Sequence, residues 1–208
     1  MKLFITQKSY FFMHKFFLDI YENETCKILY VSEKKRGFYR KIKEILNEFG
    51  YLNFFAIIVY EIIHLFLLFR RVRFLKSEKV HDYQLNEKIK TMLSENNFDS
   101  VYSVGCPTKI DSSLQKSFGI IFYNLHGGIL PQQTGRFSPL KALRNKEQQL
   151  GATLHKISDN FDAGEIIEQD SFEPIIASKL YNYLRVLKLS AKILKNHLEG
   201  KDGDNSYG

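Results

Sequence analysis

The sequence predicts an α/β fold in which a mostly parallel sheet is covered by helices. Three observations point there. The chain opens strand–helix–strand, with "KLFIT" (Lys2–Thr6), "SYFFMHKFFLDIY" (Ser9–Tyr21) and "CKILYVS" (Cys26–Ser32), the order that a helical crossover between parallel strands requires. Apolar residues make up 44%, with 18 Phe and 12 Tyr to fill a core, while 4 Pro and 12 Gly argue against a fibrous or disordered chain. A length of 208 residues suits one domain, at most with a small extension.

The elements follow in order. Lys2–Thr6 is a short apolar run, read as a buried first strand. Phe11, Phe12, Phe16, Leu18 and Tyr21 are spaced for a helix, and Cys26–Ser32 is a second strand rich in apolar and β-branched residues. "YQLNEKIKTMLSENNF" sets Leu85, Ile89, Met92 and Leu93 on one helical side. "DSVYSVG" (Asp99–Gly105) reads as a central strand, "SSLQKSF" as a short helix or turn, and "GIIFYNLH" as the next strand. "PLKALRN" is helical, and "ATLHKIS" and "EIIEQDSF" are strands on either side of "DNFDAG". The last helix carries Leu180, Leu184, Leu187, Ala191 and Leu194 near period 3.6. These limits give one domain over 1–198, with a tail over 199–208 that lacks any apolar pattern.

The net charge of +7 is local. Between Lys34 and Lys76 stand ten Lys or Arg against three Glu, a surplus equal to that of the whole chain. The remainder is neutral, so a chain-wide cationic face for nucleic acid is not expected. The same segment, 34–76, reads as a basic, apolar helical insertion. Its centre, Phe54–Phe69, is apolar except for Glu61 and His64, and its 16 residues fall short of a bilayer span. Three readings of 51–76 stay open: a helix packed on the sheet, a homodimer interface, or a peripheral anchor on anionic lipid. Without a signal peptide at the start, Cys26 and Cys106 read as reduced thiols, and a cytoplasmic location is expected, peripheral at the inner membrane face if the segment binds lipid.

Two loops carry the chemistry. "NLHGGILPQQTG" (Asn124–Gly135) lies at the carboxyl end of a strand, where open α/β sheets place ligands. Gly105 and Pro107 follow the preceding strand, and Asp162 sits in the loop after the strand "ATLHKIS". Asn124, His126 and Asp162 together suit acyl transfer to an amine. His126 takes the proton from the attacking amine, Asn124 offers an amide N–H to an oxyanion, and Asp162 orients or stabilises the imidazole. Gly127 and Gly128 let the backbone approach a ligand. Each motif alone also occurs in ordinary loops. His126, His155 and Asp162 have no metal-ligand spacing, so no metal is expected, and Cys106 reads as a packing residue.

The order of motifs is more specific than any one of them. Asn124, His126, Leu130, Pro131, Gly135, Gly151, Thr153, His155, Asp162 and Gly164 together resemble the folate-dependent formyltransferase family over about Val101 to Phe172. The resemblance implies a Rossmann-like formyl transfer domain using N10-formyltetrahydrofolate, with Asn124, His126 and Asp162 as its catalytic trio. It further implies donor contacts from Gly105, Cys106, Pro107, Leu130, Ser158 and Asp159, and acceptor contacts from Gly127, Gly135 and Arg136. The chain departs from the family in having Gly127 after the histidine, Thr134 before the loop glycine, and the insertion 34–76.

Among branches of that family, sugar N-formyltransferases are the expected likeness, acting on an amino sugar, nucleotide-linked, for surface polysaccharide or lipopolysaccharide. Phosphoribosylglycinamide formyltransferase is the alternative. The phosphate-binding glycine turn of that class is missing after the first strand, where "ITQKSYFF" stands. A formyltetrahydrofolate hydrolase would use the same trio with water. Methionyl-tRNA formyltransferase is not expected, since no RNA-binding β-domain follows the terminal helix.

Overall fold

Short apolar runs between turn residues become strands, and the runs with a helical period cover them. The computed structural model describes residues 1–7, 17, 20, 21, 23–32, 38–59, 77–175 and 178–200. Among the described residues, seven strands make a mostly parallel sheet of the Rossmann-like α/β class. The chain divides into two compact units, Met1–Ile120 and Ile121–Gly208.

The first unit holds β1 (Lys2–Gln7), β2 (Cys26–Ser32), β3 (Ser77–His81) and β4 (Ser100–Val104) in the order β3-β2-β1-β4. Every pairing among them is parallel, with Lys2 of β1 opposite both Cys26 and Ser100. Leu3, Phe4 and Ile5 are consecutive and wholly buried, as expected of a strand covered on both faces. Phe4 stacks on Tyr102 at 5.2 Å and meets Tyr21 at 5.0 Å. Among the unit's described helices are α1 (Phe38–Phe49), α2 (Leu85–Glu95) and α3 (Ser113–Phe118). The buried face of α2 is Leu85, Ile89, Met92 and Leu93, the set its periodicity predicts. Gly105, in the left-handed region at φ 63°, turns the chain out of β4.

One strand has no counterpart in the sequence reading. β3 is "SEKVH", with only Val80 buried. It lies at an end of the strand order and is paired on one side, so it needs no apolar run to form. The helix expected over Ser9–Tyr21 lies mostly outside the described residues; of it, Phe17, Ile20 and Tyr21 are helical and buried. The apolar stretch Phe54–Phe69 is described as far as residue 59. Among the described residues no helix is long and apolar enough to cross a membrane.

The second unit holds β5 (Ile121–His126), α4 (Ser138–Arg144), β6 (Leu150–Lys156), β7 (Ile166–Phe172) and α5 (Lys179–Leu198). β6 pairs antiparallel with β5 on one side and with β7 on the other. Leu150 of β6, Ala142 of α4 and Val186 of α5 share one cluster of side chains no more than 1% exposed. Burying an aliphatic side chain of this kind contributes about 1.5–3 kcal/mol, so a charge at Val186 would pry α5 from β6.

Helix α5 starts at Ser178, whose hydroxyl accepts the Tyr181 N–H at 3.2 Å. Its buried stripe is Asn182, Val186, Leu187, Ser190, Ile193 and Leu194. That stripe is rotated from the expected one, since Leu180, Leu184 and Ala191 are only half-buried. The two polar members explain the rotation. Asn182 donates to the carbonyls of Ile175 and Ser178 and accepts from the Ile175 N–H, while Ser190 donates to the Val186 carbonyl. Both are satisfied inside the protein, so burying them costs little, and a hydrophobic scale cannot see that.

Candidate active site

Strand pleat brings the first groups together. Asn124 and His126 are two apart on β5 and share a face, as do Thr153 and His155 on β6. The antiparallel register sets Asn124 opposite His155 and His126 opposite Thr153. Both Asn124 and His126 lie within β5, at its carboxyl end. Where β6 pairs with β7 the register shifts between Leu154 and His155, the extra residue, Ile167, lying on β7.

Hydrogen bonds fix which nitrogen of each ring carries the proton. His155 Nδ1 is 2.9 Å from the Lys156 carbonyl, which can only accept, so Nδ1 donates. Its Nε2 is therefore the acceptor for the Asn124 Nδ2–H at 3.0 Å. Burial holds His155 below the ordinary imidazole range, against the opposing pull of the Lys156 carbonyl and Asp162. His155 thus stays neutral near pH 7 and works as a fixed acceptor. A primary amide has two N–H groups, so Asn124 keeps one for a ligand.

His126 has the opposite arrangement. Its Nε2 donates to the Gln133 carbonyl at 2.6 Å and lies 3.3 Å from the Ser138 hydroxyl. In the neutral ring Nδ1 is then a bare lone pair, and it faces Asp162 Oδ1 at 3.5 Å. Two acceptors meet there, so a proton arriving on Nδ1 converts a repulsive pair into an ion pair. The side chains of His126 and Asp162 are only 8% and 11% exposed, which keeps that attraction from being screened by water.

Asp162 is held in place from two directions. Its backbone is left-handed at φ 52°, and its Oδ2 accepts the Gly135 N–H at 2.8 Å. Its Oδ1 also stands 3.9 Å from His155 Nε2. The loop carrying it returns beside β6 through Gly164, where a Cβ would fall 1.6 Å from the Lys156 carbonyl oxygen. Only glycine fits there.

Gln133 braces the loop between β5 and α4. It is 6% exposed, and its side-chain amide donates to Glu147 at 2.7 Å and to the Gln149 carbonyl at 2.8 Å. Its Oε1 accepts the Ile129 N–H at 3.1 Å, and its backbone N–H bonds the Ile129 carbonyl at 2.7 Å. Thr153 supports the same loop by donating to Gly128 and accepting from Leu130 and Gln169. Leu130 joins Pro131 by a cis peptide bond. Gly128 sits where a Cβ would meet the Gln133 carbonyl at 2.5 Å and His126 Nε2 at 2.8 Å. Gln133 and Ser138 have no signal in the sequence, because most of their partners are backbone atoms and the rest, Glu147 and His126, stand 14 and 12 residues away. Thr153 and His155 belong to the motif that carries the resemblance, but nothing in their spacing reveals their bonds.

The other expected site residues fall as follows. Leu130 is buried and commits its carbonyl to Gln169 at 3.1 Å. Ser158 donates to the Asn160 carbonyl at 3.0 Å, and Asp159 is exposed in the same loop as Asp162. Gly127 is half-buried and its carbonyl accepts the Ser138 hydroxyl. Gly135 is spent on Asp162, and Arg136 is exposed, its guanidinium 5.2 Å from the Phe137 ring centroid. Gly105, Cys106 and Pro107 belong to the first unit, after β4. Burial pushes the Cys106 thiol up to about 12, and it donates to the Thr108 carbonyl at 3.3 Å. It is no thiolate at neutral pH.

The family model described as formyl transferase matches residues 71–194, more than half of the chain. The chain belongs to the formyl transferase family. The formyl transferase match takes in Asn124, His126, Gln133, His155 and Asp162, the whole of the cluster above. A methionyl-tRNA formyltransferase of Fervidobacterium nodosum is 39% identical over 62 residues, 29% of this chain and 20% of that protein. The matched stretch thus spans a fifth of the length of that curated relative.

Solved formyl transferases share the fold. Glycinamide ribonucleotide transformylase 1 from Geobacillus kaustophilus superposes with a TM-score of 0.66 at 13% identity, covering 97% of this chain and 98% of that one. A sugar N-formyltransferase from a Shewanella species gives 0.57 at 18% identity, covering 95% and 68%. At such identities the likeness speaks to the fold alone.

Proposed function

We propose that this formyl transferase moves a formyl group from N10-formyltetrahydrofolate to the amine of an amino sugar, nucleotide-linked and bound for surface polysaccharide or lipopolysaccharide. The observation that supports the chemistry is the lone pair of His126 Nδ1 facing the Asp162 carboxylate, with a spare Asn124 N–H on the same strand face.

The donor set fits a formyl donor. The bound folate supplies a formyl carbon already activated on nitrogen, so no serine or cysteine nucleophile is required. His126 Nδ1 takes the proton from the acceptor amine as that nitrogen bonds to the formyl carbon. Asp162 stabilises the imidazolium that results, at 3.5 Å. The second Asn124 N–H donates to the formyl oxygen as it gains negative charge. His126 then returns its proton to the departing nitrogen, which leaves the site as it began. Gln133 keeps Nε2 occupied throughout, so the proton enters and leaves by Nδ1 alone. We assign Leu130, Ser158 and Asp159 to the donor and Gly127, Gly135 and Arg136 to the acceptor. Gly105, Cys106 and Pro107 are assigned to the donor on family likeness alone.

Glycinamide ribonucleotide is the second reading of the acceptor, favoured by one observation. The Geobacillus kaustophilus transformylase and this chain cover each other almost end to end, at 98% and 97%. The test is incubation of the purified chain with N10-formyltetrahydrofolate and a panel of aminodeoxy sugar nucleotides, read by mass. A sugar product heavier by one formyl group is expected. Formylation of glycinamide ribonucleotide instead would reverse the acceptor, and formate released with no amine present would make the chain a hydrolase.

A further inference from the structure

One polar row crosses the three strands of the second unit. His126 of β5 stands opposite Thr153 of β6, and Thr153 stands opposite Gln169 of β7. Directly opposed residues of antiparallel strands share a face, so the three side chains lie on one side of the sheet. Gln169 is exposed and β7 is last in the strand order, yet its side-chain amide turns inward. Nε2 donates to Thr153 Oγ1 at 2.8 Å and to the Leu130 carbonyl at 3.1 Å, which uses both of its protons.

Those two bonds close a set around the segment Gly128–Leu130. A threonine hydroxyl has one proton and two acceptor sites. At Thr153 the proton goes to the Gly128 carbonyl at 2.7 Å, and the acceptor sites take the Leu130 N–H at 3.3 Å and Gln169. Ile129, between the two held residues, bonds Gln133 through its N–H and through its carbonyl. The Gln133 carbonyl in turn accepts His126 Nε2–H at 2.6 Å. A run of hydrogen bonds and one short backbone segment thus leads from Gln169 to the catalytic ring.

That run decides the place of one proton. A neutral imidazole carries a proton on one nitrogen only. Two acceptors compete for it: the Gln133 carbonyl beside Nε2, and Asp162 Oδ1, 3.5 Å from Nδ1. A carboxylate is the stronger acceptor, so Nδ1 stays bare only while the carbonyl holds close to Nε2. A ring protonated on Nδ1 has no lone pair there for the proton of an incoming amine. Without the Gln169 amide, the Leu130 carbonyl loses that donor and Thr153 loses one of its three bonds. The Gln133 carbonyl is then free to draw away from Nε2.

We infer that Gln169 is a positioning residue for formyl transfer, holding the neutral His126 ring with its proton on Nε2 and its lone pair on Nδ1. The inference rests on His126 as the proton acceptor of the proposed reaction, but its first test needs no substrate. Ring nitrogen-15 signals from the full chain, labelled in histidine, report which nitrogen carries the proton. In the parent at pH 8, His126 should show a protonated Nε2 and a bare Nδ1. In Gln169→Met the two signals should draw together as protonation of Nδ1 gains a share, and kcat should fall by roughly ten- to a hundredfold. Gln169→Glu, of equal size but without an N–H to give, should do the same, with thermal melts as a check on folding in both. Asp170→Ala is the control, taking away the bonds to the Ser171 N–H and Lys192 from the next residue of β7, on the opposite face. It should leave the His126 signals where they are. Parent signals in both Gln169 variants overturn the proposal, as does a parent ring already protonated on Nδ1. An equal shift in Asp170→Ala also overturns it and assigns the effect to loosening of β7. Shifted signals in a chain that formylates no acceptor uphold the part of Gln169 and overturn the proposed acceptor instead.

Discussion

His126 presents Nδ1 to Asp162 Oδ1 at 3.5 Å while its other nitrogen is held by a backbone carbonyl. The distance is long for a hydrogen bond, as befits two acceptors awaiting a proton. A proton taken from a substrate amine onto Nδ1 would thus meet a carboxylate held in place beside it.

Asp162→Asn tests that directly. The amide keeps the shape but cannot balance an imidazolium, and it places an N–H or a neutral oxygen against Nδ1. We expect kcat for formyl transfer to fall by about 10²–10⁴-fold, the usual weight of a positioned acid–base group. His126→Gln should fall at least as far. Stopped assays across pH, with thermal melts as a check on folding, measure both. An Asp162→Asn variant that keeps kcat and its pH profile removes Asp162 from the proton path.

Gln133 is expected to act through His126. In Gln133→Leu the backbone carbonyl remains, but Glu147, the Gln149 carbonyl and the Ile129 N–H lose their partner. Stranding such groups costs about 1–3 kcal/mol in stability, readable by urea denaturation. The sharper expectation is kinetic: kcat falls and the pH profile broadens, because the loop that aims the residue-133 carbonyl at His126 Nε2 loses its side-chain brace, while KM for the donor holds. A variant that is only less stable, with an unaltered pH profile, assigns Gln133 to structure alone.

The strand that carries Asn124 and His126 and the loop that carries Asp162 were legible because their signals are local: an apolar run leading into "NLH", and an Asp beside Ala-Gly. Backbone-mediated supports were not. Nothing in the spelling of "PQQTG" tells Gln132, which is exposed, from Gln133, which is buried and bonded through both ends of its amide. Strand β3 was missed for a related reason, since an end strand of charged residues gains its stability from ladder hydrogen bonds that every backbone can make. The face of α5 was misjudged by the same blindness to polar groups satisfied indoors, at Asn182 and Ser190.

Gly128→Ala should be more harmful than its size suggests. The added methyl would stand 2.5 Å from the Gln133 carbonyl, 2.8 Å from His126 Nε2 and 2.9 Å from Ser138 Oγ. All three belong to the support of one ring. Overpacking of this sort costs about 1–3 kcal/mol, and relief by moving the ring would spoil transfer even where the fold survives. Urea midpoints paired with single-turnover rates check this. Wild-type values in both would mean that the loop gives way without disturbing His126.

His155 makes stability depend on pH in a definite direction. Burial lowers its folded value from the ordinary 6.5, so the unfolded chain takes up its proton first as pH falls. Above 6.5 both states hold a neutral ring and the contribution is complete. Below 6.5 stability declines, by at most about 1.4 kcal/mol per pH unit for one proton, and the decline levels off once pH has passed the folded value. Protonation also ends the Asn124 bond, because Nε2 ceases to accept. His155→Gln offers an amide oxygen to the same Asn124 N–H and does not titrate. Urea unfolding at pH 7.5, 6.5 and 5.5 should show the parent losing stability faster than His155→Gln over the lower interval. Parallel curves for the two proteins would mean that His155 is protonated as readily in the folded chain as in the unfolded one, and its assignment as a permanently neutral acceptor would fall.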